Sequence, residues 1–390
     1  MDWVDIVIIL VVVAAAVHGL RLGALMQLFT FGGFLIGMIL GMLLSLLIGS
    51  SIRYHGVRVA VVLLLVIGLA VLFGVGGRVL GTWSTVAARR WHLGSVDAVL
   101  GVGVAVVAVL LSAWLVAYML SESRFVWLNS AIASSDVLKA VDDVMPPPPD
   151  LFSPLQNFLS DSGFPPVFVG LSPAPASPVA TPSGSEANQI GAADAGSMVK
   201  VLGQACGYLQ EGSGFVVAPG LVVTNAHVIA GESTTQVVVQ GITYPAVPVL
   251  FDPNFDLAVL RTSAPLGPPL DIDPDEVPRG TQGAVLGYPH DGPLVIGSAG
   301  VAASLTAQGR DIYNTGTVVR AVYQLDADVR PGNSGGPVVE ANGTVIGVVF
   351  SRSTVSPDVG YALASPGVLA RVQQAELRTT PVGAGACIQG

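Results

Sequence analysis

Residues 331–339 read Pro-Gly-Asn-Ser-Gly-Gly-Pro-Val-Val, a glycine-rich turn that leads directly into an apolar run. Glycine adopts backbone conformations that strain other residues, so this composition predicts a tight turn followed by a strand. Short β-rich runs also occur at 214–217, 220–223 and 344–350, separated by Gly, Pro and Asn. Many short strands with turn signals between them are typical of a barrel or a sandwich. We therefore expect an all-β domain over residues 196–390.

Two further motifs precede the turn. Residues 223–228 read Val-Thr-Asn-Ala-His-Val, with His227 at the end of an apolar strand, and 255–260 read Phe-Asp-Leu-Ala-Val-Leu, with Asp256 just before one. Taken singly, a histidine there is more often structural, an aspartate often caps a turn, and serines are common in glycine-rich turns. Together, in one order and each at a strand end, they favour a catalytic triad of His227, Asp256 and Ser334.

The chemistry explains why these residue types are needed. A serine hydroxyl becomes a useful nucleophile when an imidazole takes its proton, and a buried carboxylate fixes the tautomer of that imidazole. The oxyanion then needs preorganised N–H donors, for which the backbone amides of Gly332 and Ser334 are the natural candidates. This chemistry predicts no cofactor and no metal.

The same three motifs closely resemble those of the trypsin-like serine proteases, above all their HtrA-like bacterial branch. Thr-Asn-Ala-His at 224–227, Asp-Leu-Ala-Val-Leu at 256–260 and Gly-Asn-Ser-Gly-Gly-Pro at 332–337 carry the resemblance. It implies two six-stranded β-barrels with the site in the cleft between them. It also implies a general base at His227, an orienting acid at Asp256, a nucleophile at Ser334, and the Gly332 and Ser334 amides as oxyanion hole.

The sequence departs from the trypsin pattern at several positions. Asn333 replaces the aspartate that pairs with a newly cut N-terminus in zymogens, so a preformed or redox-dependent site is expected. Asp328, six residues before Ser334, is a candidate selector of basic P1 residues, whereas Asp326 fits a structural acid, and both also fit a strand surface. The strand at 360–364 is the candidate for pairing with a substrate backbone by edge addition.

The first third of the chain has a different composition. Apolar stretches at 3–20, 22–49, 59–77 and 98–120 predict an α-helical bundle of four transmembrane helices within residues 1–125, since a span takes about 20 residues. Asp2 and Asp5 occupy the region where a signal peptide carries positive charge, and three more spans follow, so the first stretch is interpreted as a helix. Residues 5–9 and 18–23 resemble the colicin V production protein family.

The loops that join span one to span two and span three to span four contain four arginines in total. The remaining loop and the segment after span four contain three. This balance places the protease domain on the extracytoplasmic side of the inner membrane. Cys206 and Cys387, the two cysteines of the chain, bracket that domain and favour a disulfide, with two unpaired buried thiols as the alternative. The whole architecture resembles the membrane-anchored periplasmic proteases linked to acid resistance in mycobacteria, which implies protein substrates in the cell envelope.

Glycines at 33, 37 and 41 recur every four residues along the second span. They indicate either a close helix contact or simply the high glycine content of membrane helices. Residues 126–195 are interpreted as a Pro/Ser/Ala-rich linker, with one or two short surface helices within 121–144 and an apolar segment at 164–168 that is able to dock. The net charge of −9 and the absence of a basic stripe argue against a nucleic-acid partner.

Three hypotheses remain: an active endopeptidase, a catalytically silent relative that binds partners, and a protein whose membrane part is the functional element.

Overall fold

The computed structural model describes residues 2–49, 55–90, 94–121, 123, 125–145 and 165–388. The chain divides into two compact units, Met1–Tyr118 with Ser134–Pro146, and Met119–Ala133 with Pro147–Gly390. The proline run at 146–149 and the first residue of the docking segment, Phe164, lie outside the described residues. The division into domains at 1–125, 126–195 and 196–390 stays a prediction.

Long apolar helices form most of the first unit, and four of them are long and apolar enough to cross a membrane. Their bounds are α1 Trp3–Leu22, α2 Ala24–Gly49, α3 His55–Arg90 and α4 Gly94–Leu120. The predicted third span, 59–77, ends too early, because α3 runs without a break for 36 residues. Arg78, counted among the four loop arginines, lies inside the apolar window 64–84, so the arginine balance becomes three against three. At 1.5 Å per residue this helix is about 54 Å long, more than the roughly 30 Å hydrocarbon core of a bilayer.

The glycines of α2 lie against α3. A Cβ atom added at Gly37 would lie 2.2 Å from the carbonyl oxygen of Leu69, and one added at Gly33 would lie 2.3 Å from that of Phe73. Only hydrogen fits at these two positions, so the glycine repeat is a helix contact and not a mere consequence of composition.

Two short helices follow the spans, as predicted: α5 Val126–Ser134 and α6 Asp136–Asp142. Asp5, fully buried at the start of α1, accepts a hydrogen bond from the hydroxyl of Ser135 (2.6 Å). Asp2 and Asp5 also form a capping box at the N-terminus of α1. Asp2 and Asp5 therefore cap the N-terminus of α1, and Ser135, the residue before α6, adds a hydrogen bond to Asp5.

The second unit contains two closed six-stranded barrels, as expected. The first has the strand order β1-β2-β3-β6-β5-β4 and the second β10-β11-β12-β9-β8-β7, with antiparallel neighbours throughout. The strands of the first barrel are β1 Met198–Ala205, β2 Tyr208–Ala218, β3 Leu221–Thr224, β4 Glu232–Val239, β5 Ile242–Asp252 and β6 Leu257–Thr262. Those of the second are β7 Gln282–Gly287, β8 Val295–Arg310, β9 Thr317–Asp326, β10 Pro337–Val339, β11 Val345–Arg352 and β12 Val359–Ala364.

Apolar residues from all six strands of each barrel form one buried cluster, as expected from alternating side chains on a closed sheet. A third cluster joins the barrels and includes Phe215 from the first and Leu286 from the second. The last helix, α9 Ser365–Glu376, adds Val368 and Val372 to this cluster.

The segment before the first strand packs closely on the second barrel. Val167 is buried, the ring of Phe168 lies edge-on to Tyr361 at 5.5 Å, and the amide of Val169 donates to the carbonyl of Gln308 (2.7 Å). Helix α7, Gly184–Ala192, follows, with a capping box between Ser183 and Glu186. Sequence analysis assigned no element here, so the described end of the linker is more ordered than a spacer.

Candidate active site

His227 lies in α8, the single turn Ala226–Ile229 that follows β3, and its side chain faces Asp256. The two residues form two hydrogen bonds. The main-chain N–H of His227 donates to Oδ1 of Asp256 (2.9 Å), and Nδ1 of the ring lies 2.7 Å from Oδ2. Asp256 is fully buried and His227 is 9% exposed. The carboxylate therefore favours the tautomer with hydrogen on Nδ1, which leaves Nε2 as an acceptor.

The turn before β6 aims the Asp256 carboxylate. The main-chain N–H of Asp256 donates to the carbonyl of Asp252, whose side chain accepts from the amides of Asn254 and Phe255. Asp256 itself has a φ of 66°, in the left-handed region that residues other than glycine enter at a cost. Asn225, two residues before His227, donates through its side chain to the Asp256 carbonyl (2.8 Å). These local hydrogen bonds therefore stabilise the strained backbone conformation of Asp256.

Ser334 lies in the predicted glycine-rich turn, which leads into β10. The Gly335 amide donates to the carbonyl of Val349, and the Val349 amide donates to the carbonyl of Gly336, so β11 holds the turn. Gly335 has a φ of 84°, and a Cβ there would lie 2.1 Å from the carbonyl oxygen of Ser213. Both conformation and space require glycine at this position.

The turn places Ser334 beside the segment that carries His227. The Ser213 amide donates to the Ser334 carbonyl (2.8 Å), and a Cβ at Gly335 would lie 3.1 Å from the nitrogen of Asn225. Among the hydrogen bonds of the described residues, none joins the Ser334 hydroxyl to His227. Such hydrogen bonds are often long in ligand-free enzymes and tighten when substrate binds.

The peptide groups around Gly332 are fixed from outside the turn. The carbonyl of Pro331 accepts from the His290 amide (2.9 Å), and the carbonyl of Gly332 accepts from the Ser213 hydroxyl (2.6 Å). In the described part of the chain, the N–H groups of Gly332 and Ser334 donate to no protein acceptor. Both are available to bind an oxyanion, and the Ser213 hydroxyl is itself oriented by the amide of Tyr288 (2.8 Å).

Two groups that support the turn, Ser213 and the main chain of His290, were not predicted from the sequence. Ser213 lies between two glycines at 212 and 214, a signal of close backbone contact that was available. His290 acts through its N–H, for which sequence offers no signal. Asn333, in place of the zymogen aspartate, closes the turn by accepting the Arg330 amide (3.0 Å). This contact is local to the turn, and the choice between a preformed and a redox-dependent site stays a prediction.

Two sequence interpretations of the substrate side are decided by the structure. Asp328 is exposed and binds the side chain of Arg330 (3.0 Å from Nε), while Val329 fills the space above Gly360, 2.4 Å from an added Cβ. Asp326 accepts the Val179 amide (2.5 Å), which is the structural role considered for it. Asp328 therefore does not place an acid at the base of a P1 pocket.

The prediction that residues 360–364 pair with substrate is wrong. They form β12, whose two edges are hydrogen-bonded to β11 and β9 within the closed barrel. No edge is left for an added strand.

The predicted disulfide between Cys206 and Cys387 is present and joins residues 181 positions apart. The tail that carries Cys387 lies against the segment after His227, because the Gly231 amide donates to the carbonyl of Ala384 (2.9 Å). A Cβ at Gly231 would lie 2.9 Å from the Cα of Cys387. The bond thus anchors the tail beside the histidine segment.

Glu232 follows directly after this contact. Burial raises the pKa of its carboxyl to about 7, against the opposing hydrogen bond from the Thr235 hydroxyl. One of its oxygens is buried without a hydrogen bond among the described residues. Burial also raises the pKa of Glu211, and the nearby Asp291 contributes in the same direction. No group of three potential metal ligands occurs in the ranges that the structure describes.

The fold and this site define a serine protease of the trypsin-like type, and comparison with known proteins agrees. The family described as Trypsin-like peptidase domain matches residues 212–348, and the family described as Colicin V production protein matches residues 4–146. The serine protease Rv3671c of Mycobacterium tuberculosis is 36% identical over 393 residues, and the match covers 99% of each chain.

A crystal structure of the Rv3671c protease in its active form, 36% identical, matches with a TM-score of 0.54 and covers 57% of this chain and 100% of that one. The mitochondrial serine protease HTRA2 of Bos taurus is 38% identical over 162 residues, which are 40% of this chain and 34% of that protein. The chain belongs to the family of Rv3671c, the HtrA-like serine proteases with an N-terminal colicin V production domain.

Proposed function

We propose that this protein is a membrane-anchored, extracytoplasmic endopeptidase that cleaves peptide bonds through an acyl-enzyme formed on Ser334. The observation that carries the proposal is the pair of hydrogen bonds between His227 and Asp256, beside a serine in a turn with two unoccupied N–H groups. A histidine with a purely structural role needs neither a fully buried carboxylate at Nδ1 nor a free acceptor at Nε2.

In each proposed step, a named group gives or takes a proton or an electron pair. Nε2 of His227 takes the hydroxyl proton as Oγ of Ser334 attacks the scissile carbonyl carbon, and the resulting oxyanion binds the N–H groups of Gly332 and Ser334. The imidazolium, stabilised by the Asp256 carboxylate, gives its proton to the leaving amine, and the C–N bond breaks. Water, deprotonated by the same imidazole, then attacks the ester carbonyl carbon. The bond from that carbon to Oγ of Ser334 breaks, Oγ takes the proton back from the imidazolium, and the acid product leaves.

The strand that pairs with substrate is proposed to be the end of β11 in place of β12. Val349 is tied to the nucleophile turn through Gly335 and Gly336, whereas the register of β10 against β11 stops at Val348. Residues 350–352 therefore have β12 on one side, and among the described strands no strand on the other. An extended peptide added there runs directly past Ser334.

The proposed location follows from the spans and the disulfide. Disulfides persist in oxidising compartments, which favours a protease unit outside the cytoplasm. Protein substrates would then come from the cell envelope, and resemblance to the mycobacterial proteases suggests a part in acid-stress resistance.

A fluorophosphonate probe tests the mechanism on the full chain in detergent. The wild type and Ser233→Ala, which changes an exposed serine on β4, should both be labelled, and Ser334→Ala should not. Equal labelling of all three, or of none, would remove the triad and favour a silent, partner-binding relative. If deletion of residues 1–125 abolishes labelling of a folded fragment, the membrane part is more than an anchor.

A further inference from the structure

An arginine lies buried behind the proposed triad. Arg320, on β9 of the second barrel, is 3% exposed. Its Nε donates to the carbonyl of Asn254 (2.7 Å), and Nη2 donates to the carbonyl of Arg310 (2.8 Å). Nη1 is buried without a hydrogen bond partner among the described residues, and the guanidinium lies 5.8 Å from the ring centre of Phe350.

A buried arginine normally pairs with a carboxylate, because an uncompensated charge is costly inside a protein. The hydrogen bonds of Arg320 go to main-chain carbonyls, so a carboxylate near it acts through space. Burial lowers the pKa of the Arg320 guanidinium, and Asp256 is the carboxylate that opposes this lowering most strongly, ahead of Asp252 and Asp311.

The other two carboxylates have partners of their own. Asp252 binds the guanidinium of Arg371 (2.7 Å), and Asp311 accepts hydrogen bonds from the amide and hydroxyl of Thr315 in its own loop. The Asp256 carboxylate receives its two hydrogen bonds from His227 and is fully buried. The charge that Arg320 offsets is therefore chiefly that of Asp256.

Arg320 also braces the backbone of the triad acid. Its Nε binds the carbonyl of Asn254, two residues before Asp256, in the turn that holds Asp256 at a φ of 66°. Because Asn254 precedes β6 of the first barrel, this hydrogen bond links the two barrels at the point where the site is assembled.

We propose that Arg320 is a positioning residue for the reaction, which clamps the Asp256 turn and balances the Asp256 carboxylate from the opposite barrel. The inference rests on the proposed function. In this role Arg320 holds the turn that presents the Asp256 carboxylate for its two hydrogen bonds to His227.

The test measures the second-order rate constant of fluorophosphonate labelling, the kcat and KM of peptide cleavage, and the melting temperature, on the full chain in detergent. Arg320→Met fills similar space without charge, but it leaves the carbonyls of Asn254 and Arg310 without that donor, so a lower melting temperature is expected. We expect it to be labelled about tenfold more slowly, with kcat lowered and KM unchanged. Arg320→Lys keeps the charge and a donor, and should recover most of the lost rate. Arg320→Gln replaces the Met variant if circular dichroism finds that variant unfolded.

Arg279→Gln is the matched control, since Arg279 also donates to main-chain carbonyls, those of Ala302 and Ser177, and is exposed. It should match the wild type in rate. A neutral Arg320 variant with the wild-type rate overturns the inference, and so does a lysine variant that is as slow as the methionine variant, which marks a purely structural residue. Absent labelling of the wild type, or labelling of Ser334→Ala, refutes the proposed function instead.

Discussion

The Asp256 carboxylate binds His227 through both of its oxygens, one to the main-chain N–H and one to Nδ1 of the ring. The acid therefore fixes the histidine backbone as well as its side chain. Residues 29 positions apart in sequence become one rigid unit at the edge of the cleft.

This double contact predicts the effect of Asp256→Asn. The amide keeps the shape of the side chain but presents a donor to Nδ1, which favours the wrong imidazole tautomer. The rate constant of fluorophosphonate labelling should fall about 10⁴-fold, and the melting temperature should fall as well, because the buried Arg320 loses the charge that offsets it. Labelling within tenfold of the wild type would show that the carboxylate does not control the tautomer.

Ser213→Ala should weaken the oxyanion turn. The change removes the hydroxyl that joins the Gly332 carbonyl to the Tyr288 amide. We expect peptide cleavage to slow about tenfold or more in kcat with little change in KM, because the N–H donors matter most in the transition state. Ser233→Ala provides the comparison, and equal kcat values for the two variants would contradict the assigned role.

Glu232→Gln should change the dependence of stability on pH. The folded carboxyl holds its proton up to pH about 7, whereas the unfolded one loses it near the ordinary value of 4.5. Between these values the folded state binds more protons, so the free energy of unfolding of the wild type falls as pH rises. The glutamine variant escapes this loss and should be more stable at pH 8, by about 1–3 kcal/mol.

Urea unfolding of both proteins at pH 4.5 and pH 8 checks this expectation. Glu376→Gln, at an exposed position of α9, should leave the wild-type curve unaltered. Parallel curves for wild type and Glu232→Gln across the window would mean that the Glu232 carboxyl is not destabilised by burial.

Loss of the disulfide should destabilise the protease unit. Closing a loop of this length restricts the unfolded chain, and native disulfides contribute about 2–4 kcal/mol in typical cases. The double variant Cys206→Ser with Cys387→Ser should melt at a lower temperature than the oxidised wild type, and at the same temperature as the reduced wild type. Identical melting of oxidised and reduced wild type would rule out a structural role for the bond.

The membrane helices offer a matched pair of glycines. A Cβ at Gly37 meets the Leu69 carbonyl oxygen at 2.2 Å, whereas one at Gly32, on the same helix, meets no atom within 4 Å. Gly37→Ala should therefore lower the melting temperature in detergent, and Gly32→Ala should leave it unchanged or raise it, since alanine favours helix. A stabilising Gly37→Ala substitution would contradict the close packing of α2 on α3.

The features that can be predicted from sequence depend on short motifs or on composition. His227, Asp256 and Ser334 each lie in a motif of about six residues, and the composition of each motif predicts its local turn or strand. The apolar spans and the cysteine pair are equally local signals. The barrel pairing of β12 was misjudged, because a strand sequence does not reveal which edges its neighbours occupy.

Other features depend on contacts between distant residues. Arg320 lies 64 positions after Asp256 in a strand without a motif, and its role follows from where two barrels meet. The order of residues 165–192 similarly comes from packing on the second barrel, which overrides a composition typical of spacers. Sequence does record the α7 capping box at Ser183 and Glu186, although the proline content around it hides that signal.

The covalent bond between Cys206 and Cys387 also constrains when the enzyme is able to mature. Its second sulfur follows all twelve strands, so the ring closes only after the whole catalytic unit has been synthesised. The tail then lies beside the histidine segment through Gly231. A truncated chain that stops before Cys387 would lack this bond even with every strand of both barrels in place.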